Sequence, residues 1–163
     1  MNITLQRTTL MVCVLAGALA LAVALVTARA ASAAPPEPIN DSFTIEEGVC
    51  AFPVLDEATG KGKLIELPGG RAVGISPGLR VTLTNTEEPT HRVTYVITGA
   101  AHVTELGSGD LSVVLTGRNL LFDPNIGMLL TIGRFTSVLD PEDGTLTPPT
   151  GKGRVIDVCD RLA

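Results

Sequence analysis

The sequence predicts an all-β fold, an antiparallel β-sandwich, with a closed antiparallel β-barrel as the alternative. From Phe43 to Leu162 there is no helical period, and short runs of Val, Ile, Leu and Thr are separated by Gly, Pro, Asn and Asp. Segments 80–84 and 93–97 have apolar odd positions, as expected for strands with one face in the core. Without crossover helices, the sheets must be mainly antiparallel.

Residues 1–33 are predicted to be a secretory signal peptide. An uncharged run extends from Thr8 to Ala28, and the small residues Ala31 and Ala33 suit cleavage after Ala33. A membrane anchor is the alternative, because the run is long enough to span a bilayer. Its richness in Ala rather than Leu favours cleavage, so we expect a secreted or cell-envelope protein with no stable membrane insertion.

The remaining chain is predicted to contain a Pro-rich spacer at 34–42 and a single β domain at 43–163. The spacer contains Pro35, Pro36 and Pro38. The predicted strands are at residues 43–46, 49–55, 62–67, 71–75, 79–85, 91–98, 101–106, 110–122, 128–139 and 153–159.

Two cysteines remain after residue 33, Cys50 and Cys159. In a chain predicted to reach an oxidising compartment, an even pair indicates a disulfide. A metal site is a weaker alternative because two thiols without clustered histidines are too few, and a redox-active CxxC is absent from the sequence. Cys13 lies within the predicted signal peptide.

The charge of the chain argues against two kinds of partner. The chain contains 17 acidic and 12 basic residues, and only two of these, Arg7 and Arg29, lie in residues 1–33. The remaining chain therefore has a net charge near −7. Nucleic acids and polybasic membrane contacts need a concentrated positive surface, so neither is expected.

The tetrapeptide TGKG occurs twice, at 59–62 and 150–153, each time before an apolar segment. A phosphate loop needs a glycine five positions before its Gly-Lys pair and a Ser or Thr after it. Here Leu55 and Leu146 occupy the leading positions, and glycine follows the lysine both times. The two segments are instead predicted to be exposed turns with positive φ that lead into strands.

No cofactor, metal or catalytic residue is predicted. His91 and His102 are expected about 20 Å apart on a hairpin that turns at Gly99 and Ala100, with His91 at the surface and His102 half-buried. The segment DPEDG at 140–144 lacks calcium-loop spacing and is predicted to be a turn. Carboxylates on separate strands leave a hydrolase as a further alternative.

The long hairpin centred on Asn125 offers the one place where the sequence indicates a binding site. Its predicted register puts Gly117 opposite Gly133, and paired glycines mark a bend, a bulge or the close approach of another group. Arg118 and Arg134 would then lie near each other. They are predicted to form an exposed cluster with nearby acids or, as the alternative, to bind an anionic ligand.

Several segments resemble a group of small secreted proteins from actinobacteria. They are GVCAFPV at 48–54, TGKGKLIELPGGR at 59–71, VTYVITGA at 93–100, TGRNLL at 116–121 and IDVCDRL at 156–162. The resemblance covers most of the chain after residue 33. It implies export, a β fold and a bridge between the CAF and DVC cysteines, and it implies no catalytic residue.

These observations predict a non-enzymatic binding or interaction module that acts outside the cell or in the envelope, on a protein or an anionic ligand. The alternative is a β-barrel that holds a small apolar ligand, with enzymatic chemistry at its mouth as a variant of that hypothesis. A continuous interior cavity would favour the second hypothesis, and a filled core would favour the first.

Overall fold

The computed structural model describes residues 34–163. The predicted signal peptide, its anchor alternative and Cys13 lie outside the described residues. The elements are β1 (Glu37–Ile45), β2 (Val54–Leu67), β3 (Arg71–Ile75), β4 (Leu79–Asn85), β5 (Arg92–Ile97), β6 (Ala100–Glu105), β7 (Leu111–Asp123), β8 (Gly127–Leu139), β9 (Thr150–Asp157) and α1 (Cys159–Leu162).

The strands form an antiparallel meander in which two long strands are each interrupted once. β3 and β4 both pair with β2, and only the turn at 76–78 separates them. β5 pairs with β4 and β6 pairs with β3, so the break at 98–99 lies beside that turn. The paired interruptions let both strands change direction together.

The predicted all-β antiparallel fold with one disulfide is confirmed. Within residues 34–163 the strands form one open sheet in the order β5-β4-β2-β3-β6-β7-β8-β9, with β1 also paired to β2. The sheet curls so that distant strands share a core: Val81 and Leu83 of β4 belong to the same buried cluster as Met128 and Leu130 of β8. A second cluster contains Val113, Leu115 and Phe135.

A row of glycines crosses the sheet where it bends. Gly117 lies opposite Gly133, as predicted, and Gly153 lies opposite Gly133 on the other side. Gly99 packs against Gly117, because a Cβ at residue 117 would lie 3.1 Å from the Gly99 Cα atom. The row therefore extends across all four neighbouring segments.

The β7–β8 hairpin is folded double at this row. Asp123 lies at its tip, and Leu139 lies at its base opposite Leu111. A straight strand would place Asp123 about 40 Å from the base. Instead, the base and the tip are close to each other. Leu146 forms a β-bridge with Leu139 at the base, and its backbone amide donates a hydrogen bond to the Asp123 Oδ2 atom at the tip, at 3.3 Å.

The predicted spacer at 34–42 is largely part of the fold. Residues 37–45 form β1, which pairs along its whole length with residues 54–62 of β2. Proline is tolerated at position 38 because β1 is an edge strand that, within residues 34–163, pairs with β2 only. No second neighbouring strand there requires a hydrogen bond from the backbone amide that proline lacks. The Pro-rich composition therefore suggests a spacer where the structure has an edge strand.

The prediction that both TGKG segments form turns is wrong. Residues 59–62 lie inside β2, and residues 150–153 begin β9. Gly60 and Gly153 have the expected positive φ, +145° for each, but in strands. Glycine is needed at position 153 because the backbones of the paired strands approach closely there: a Cβ atom on Gly153 would lie 2.1 Å from the Ile132 carbonyl oxygen.

The predicted hairpin turn at Gly99 and Ala100 is also wrong. β5 and β6 run in the same direction, β5 paired with β4 and β6 paired with β3, so the chain does not reverse between them. The exposure predicted for the histidines is reversed. His102 is exposed, and His91 is half-buried with its ring Nδ1 atom 3.2 Å from the Leu162 carbonyl oxygen.

Cys50 and Cys159 form the predicted disulfide, with Cα atoms 5.4 Å apart. Cys50 lies in the connection between β1 and β2 rather than in a strand, and Cys159 begins α1. Val158 and Leu162 are fully buried in the main cluster, and the Asn85 side-chain amide donates a hydrogen bond to the Leu162 carbonyl oxygen at 3.0 Å. The bridge thus holds the C-terminal segment against the core.

Candidate functional site

A cavity of about 490 Å³ lies between the two buried clusters. Its walls are mostly apolar and come from β1, β2, β4, β5, β6, β7, β8, the turn at 76–78 and the segment after β8. The lining residues are Phe43, Asp56, Ala58, Ser76, Leu79, Val81, Ile97, Ala101, Val103, Val113, Leu115, Asn119, Leu120, Leu121, Phe122, Leu139 and Leu146.

Strand alternation places Asp56 among these apolar residues. Val54, Asp56 and Ala58 share one face of β2, and Val54 is fully buried in the main cluster. Asp56 lies between Phe43 on β1 and Leu83 on β4 in the hydrogen-bonded ladder. Its side chain therefore has to point to the interior with its apolar neighbours.

The Asp56 carboxyl group has no neutralising partner within residues 34–163. The residue is only 4% exposed, and its Oδ1 atom is buried without a hydrogen-bond donor among the described residues. Burial, together with the negative charge of Asp41, raises the pKa of Asp56 to about 6. Asp41 is exposed and lies diagonally across the β1–β2 ladder from Asp56, opposite Ala58.

Two other polar side chains line the cavity, Ser76 and Asn119. The Asn119 side-chain amide donates a hydrogen bond to the Thr116 carbonyl oxygen at 3.0 Å, which fixes its orientation. The lining contains no Lys, Arg or His residue. Among the described residues, Asp56 is therefore the only titratable group in this lining.

Phe43 and Phe122 separate the cavity from a second depression of about 590 Å³ and line both. Their ring centroids are 6.3 Å apart, and about two-fifths of each residue is exposed. Asp123 and Asp143 line the outer depression, which also contains no basic residue. Hydrogen bonds from Thr145 lower the pKa of Asp143, so this carboxylate stays ionised.

The two arginines predicted to form a pair do not line the same depression. Arg134 is exposed and lines a small depression of about 240 Å³ with His102, Val114 and Thr116, and Arg118 does not line it. Arg118 lies opposite Ile132, and its Nε atom is buried without a partner among the described residues. The expected cluster with acids is not seen, because neither arginine forms an ion pair within residues 34–163. Binding of an anionic ligand by this pair stays a prediction.

The DPEDG segment forms the predicted turn. The Asp140 carboxylate accepts a hydrogen bond from the Glu142 amide at 2.8 Å, and Asp143 accepts one from the Thr145 amide at 2.8 Å. In the part of the chain that the structure describes, no three His, Cys, Asp or Glu residues are grouped to hold a metal ion.

Sequence reasoning missed Asp56. The available signal was the pattern Val54-Leu55-Asp56-Glu57-Ala58, in which an acidic residue stands between two small apolar residues on one face of a strand. The predicted strands 49–55 and 62–67 leave residues 56–61 as a connection, whereas in the structure they lie inside β2.

No known family model, curated protein or solved structure matches this chain. Among the described residues, no helix has the length and apolar character needed to cross a membrane.

Proposed function

We propose that the protein binds a small apolar molecule in the cavity, through a polar group that contacts Asp56. The observation that carries the proposal is a buried carboxyl group, without a hydrogen-bond partner at Oδ1, in a cavity that is otherwise mostly apolar. Leaving such a group unpaired is unfavourable unless something else pairs with it. A bound ligand would supply that partner.

The size and composition of the cavity support this proposal. Small-molecule sites are typically apolar cavities of about 300–1,000 Å³ with a few well-placed polar groups. The cavity has Asp56, Ser76 and Asn119 as such groups. Among residues 34–163, no second acid or base lines the cavity beside Asp56, so the proposal is limited to non-enzymatic binding.

We further propose that the protein acts outside the cell or in the envelope. The Cys50–Cys159 disulfide is compatible with an oxidising compartment, and residues 1–33 have the pattern of a signal peptide. Asp56 would then meet a ligand that is present outside the cytoplasm.

Filling the cavity tests the binding proposal. Ala101 lines the cavity, and its neighbour Ala100 does not and points to the opposite face of β6. We expect the neutral fluorescent probe N-phenyl-1-naphthylamine to bind the wild-type protein, and Ala101→Phe to weaken binding by about tenfold or more, as expected when about 1.4 kcal/mol of contacts is lost. Ala100→Phe is the matched control and should bind as the wild type does.

Ala58→Leu provides a smaller obstruction of the same cavity in case Ala101→Phe does not fold, as judged by its circular dichroism spectrum. Equal probe affinity in the wild type and in a folded cavity-filling variant would show that the cavity is not the binding site. Failure of the wild type to bind any apolar probe in calorimetry would reject the proposed function.

A further inference from the structure

We infer that the ligand is a hydrophobic amine, with its ammonium group held by Asp56 beside Phe43 and its apolar part in the cavity. The inference rests on the proposed function and specifies its ligand class. It depends on the charges around the cavity, on the aromatic pair at its boundary and on the Asp56 Oδ1 atom, which has no hydrogen-bond partner among the described residues.

All charged groups that line the cavity and the outer depression are acidic. Asp56 lines the cavity, and Asp123 and Asp143 line the depression. Asp41 acts on Asp56 from β1. A cation moving from the depression into the cavity would therefore meet only favourable charges, whereas a carboxylate or phosphate would be repelled.

No basic side chain in the described chain neutralises Asp56. The nearest ion pair along β2 joins the Glu57 carboxylate to the Arg92 guanidinium group at 3.3 Å. Because successive residues of a strand point to opposite faces, this pair lies on the face of β2 opposite to Asp56. On the interior face, the cross-strand neighbours of Asp56 are Phe43 and Leu83, neither of which is charged.

The aromatic pair fits the same ligand. Phe43 is the cross-strand neighbour of Asp56, and the two side chains share one face of the ladder. A cation next to the Asp56 carboxylate would lie close to the Phe43 ring, with Phe122 beside it. Aromatic rings attract ammonium groups through their negative faces, and recognition sites for organic cations use this attraction.

The protonation state of Asp56 agrees with an ionic contact at neutral pH. Its pKa of about 6 leaves the carboxyl group mostly ionised at pH 7.5, and a bound ammonium group would favour ionisation further. A neutral ligand with a hydrogen-bond acceptor would need the protonated carboxyl group. The two ligand classes therefore predict opposite pH dependences.

The test compares three ligands with the same chain and different head groups, namely decylamine, decanol and decanoate, each below its micelle concentration. The assay measures how well each ligand displaces N-phenyl-1-naphthylamine from the full mature chain at pH 7.5. We expect decylamine to bind about tenfold or more tightly than decanol, and decanoate to bind most weakly. Lowering the pH to 4.5 should weaken decylamine binding by about tenfold or more as Asp56 is protonated.

The variant Asp56→Asn should remove both the preference for decylamine and its pH dependence. Asp160→Asn, which changes an exposed carboxylate on α1, is the control and should retain both. If Asp56→Asn does not bind the probe at all, Phe43→Leu is tested in its place. It should reduce the preference for decylamine and leave the affinity for decanol within about threefold of the wild-type value.

Equal or tighter binding of decanol or decanoate by the wild type would overturn the amine inference and leave the proposed function intact. Tighter decylamine binding at pH 4.5 than at pH 7.5 would overturn it as well. Binding of none of the three ligands, together with no probe binding, would reject the proposed function and the inference with it.

Discussion

The Asp56 side chain lies in the core although an ionised carboxylate is costly to bury. Burial and the charge of Asp41 raise its pKa from 3.8 to about 6. A carboxyl group with a raised pKa in the folded state binds its proton more tightly there than in the unfolded chain. Its contribution to stability is therefore fully present below about pH 4 and is lost as the pH rises through 6.

Replacing Asp56 by Asn should remove this pH dependence. The difference of about two pKa units corresponds to about 3 kcal/mol of unfolding free energy. We expect the stability of Asp56→Asn relative to the wild type to increase by about that amount between pH 4 and pH 7.5. Urea unfolding with the disulfide intact measures both proteins, and Asp160→Asn should follow the wild type. A constant difference across this pH range would contradict the assigned burial of the carboxylate.

The position of Asp56 on the interior face could have been predicted from the alternation around it, but its lack of a partner could not. Whether a buried carboxyl group finds a donor depends on β1 and β4, which flank it from distant parts of the sequence. The same limit applies to Arg118 and Arg134. Their register across the hairpin was predicted correctly, but the surfaces they line depend on how the doubled hairpin packs.

At the scale of elements, the glycine row is where the sheet depends on the absence of side chains. Gly133 has a φ of +136°, and a Cβ there would lie 2.4 Å from the Lys152 carbonyl oxygen and 2.8 Å from the Gly153 Cα atom. Both obstacles are backbone atoms of the adjacent strand. They cannot move without opening the β8–β9 ladder.

Gly133→Ala should therefore be more destabilising than an alanine at a glycine with positive φ and open surroundings. Gly69, with a φ of +77° and no atom within 4 Å of its virtual Cβ, is the matched control. We expect Gly69→Ala to cost about 1–2 kcal/mol from backbone strain, and Gly133→Ala about 1–3 kcal/mol more from the clash. Urea unfolding of both variants makes the comparison, and equal costs would show that the strands separate easily at this point.

The β7–β8 hairpin was predicted well because its two apolar halves and its central turn lie close together in the sequence. Residues 37–42 of β1 and 56–61 of β2 lie outside the predicted strands for a physical reason. Residues 37–42 are largely exposed and include Pro38, so they look like a spacer in the sequence, and their pairing comes from backbone hydrogen bonds with residues 57–62 of β2. Composition does not report such contacts.

At the scale of the whole molecule, export and the disulfide can be tested in one measurement. We expect the protein recovered from culture supernatant to begin at Ala34, because Ala31 and Ala33 suit signal peptidase. Its intact mass without reductant should be two hydrogen atoms below that of the chain with free thiols at Cys50 and Cys159. Reductant should restore the mass of the two hydrogen atoms, which distinguishes the disulfide from other modifications.

Recovery of the full-length chain from the membrane fraction would support the anchor alternative for residues 1–33. Free thiols in the exported protein would show that the bridge is not formed under those conditions. In the chain-entropy model, closing a loop of 109 residues contributes about 4.7 kcal/mol at most, so its absence should also lower the urea midpoint.

The meander has a consequence for how the chain reaches its folded state. From β2 to β9, almost every strand pairs with one that lies close to it in the sequence, so each new strand can add to an edge that already exists. Such local steps require little conformational search and favour fast folding for a β protein. The junction between Cys50 and Cys159 is different, because it joins segments 109 residues apart. The search over the whole chain is therefore concentrated in one closing step, and the disulfide then holds the two segments together until it is reduced.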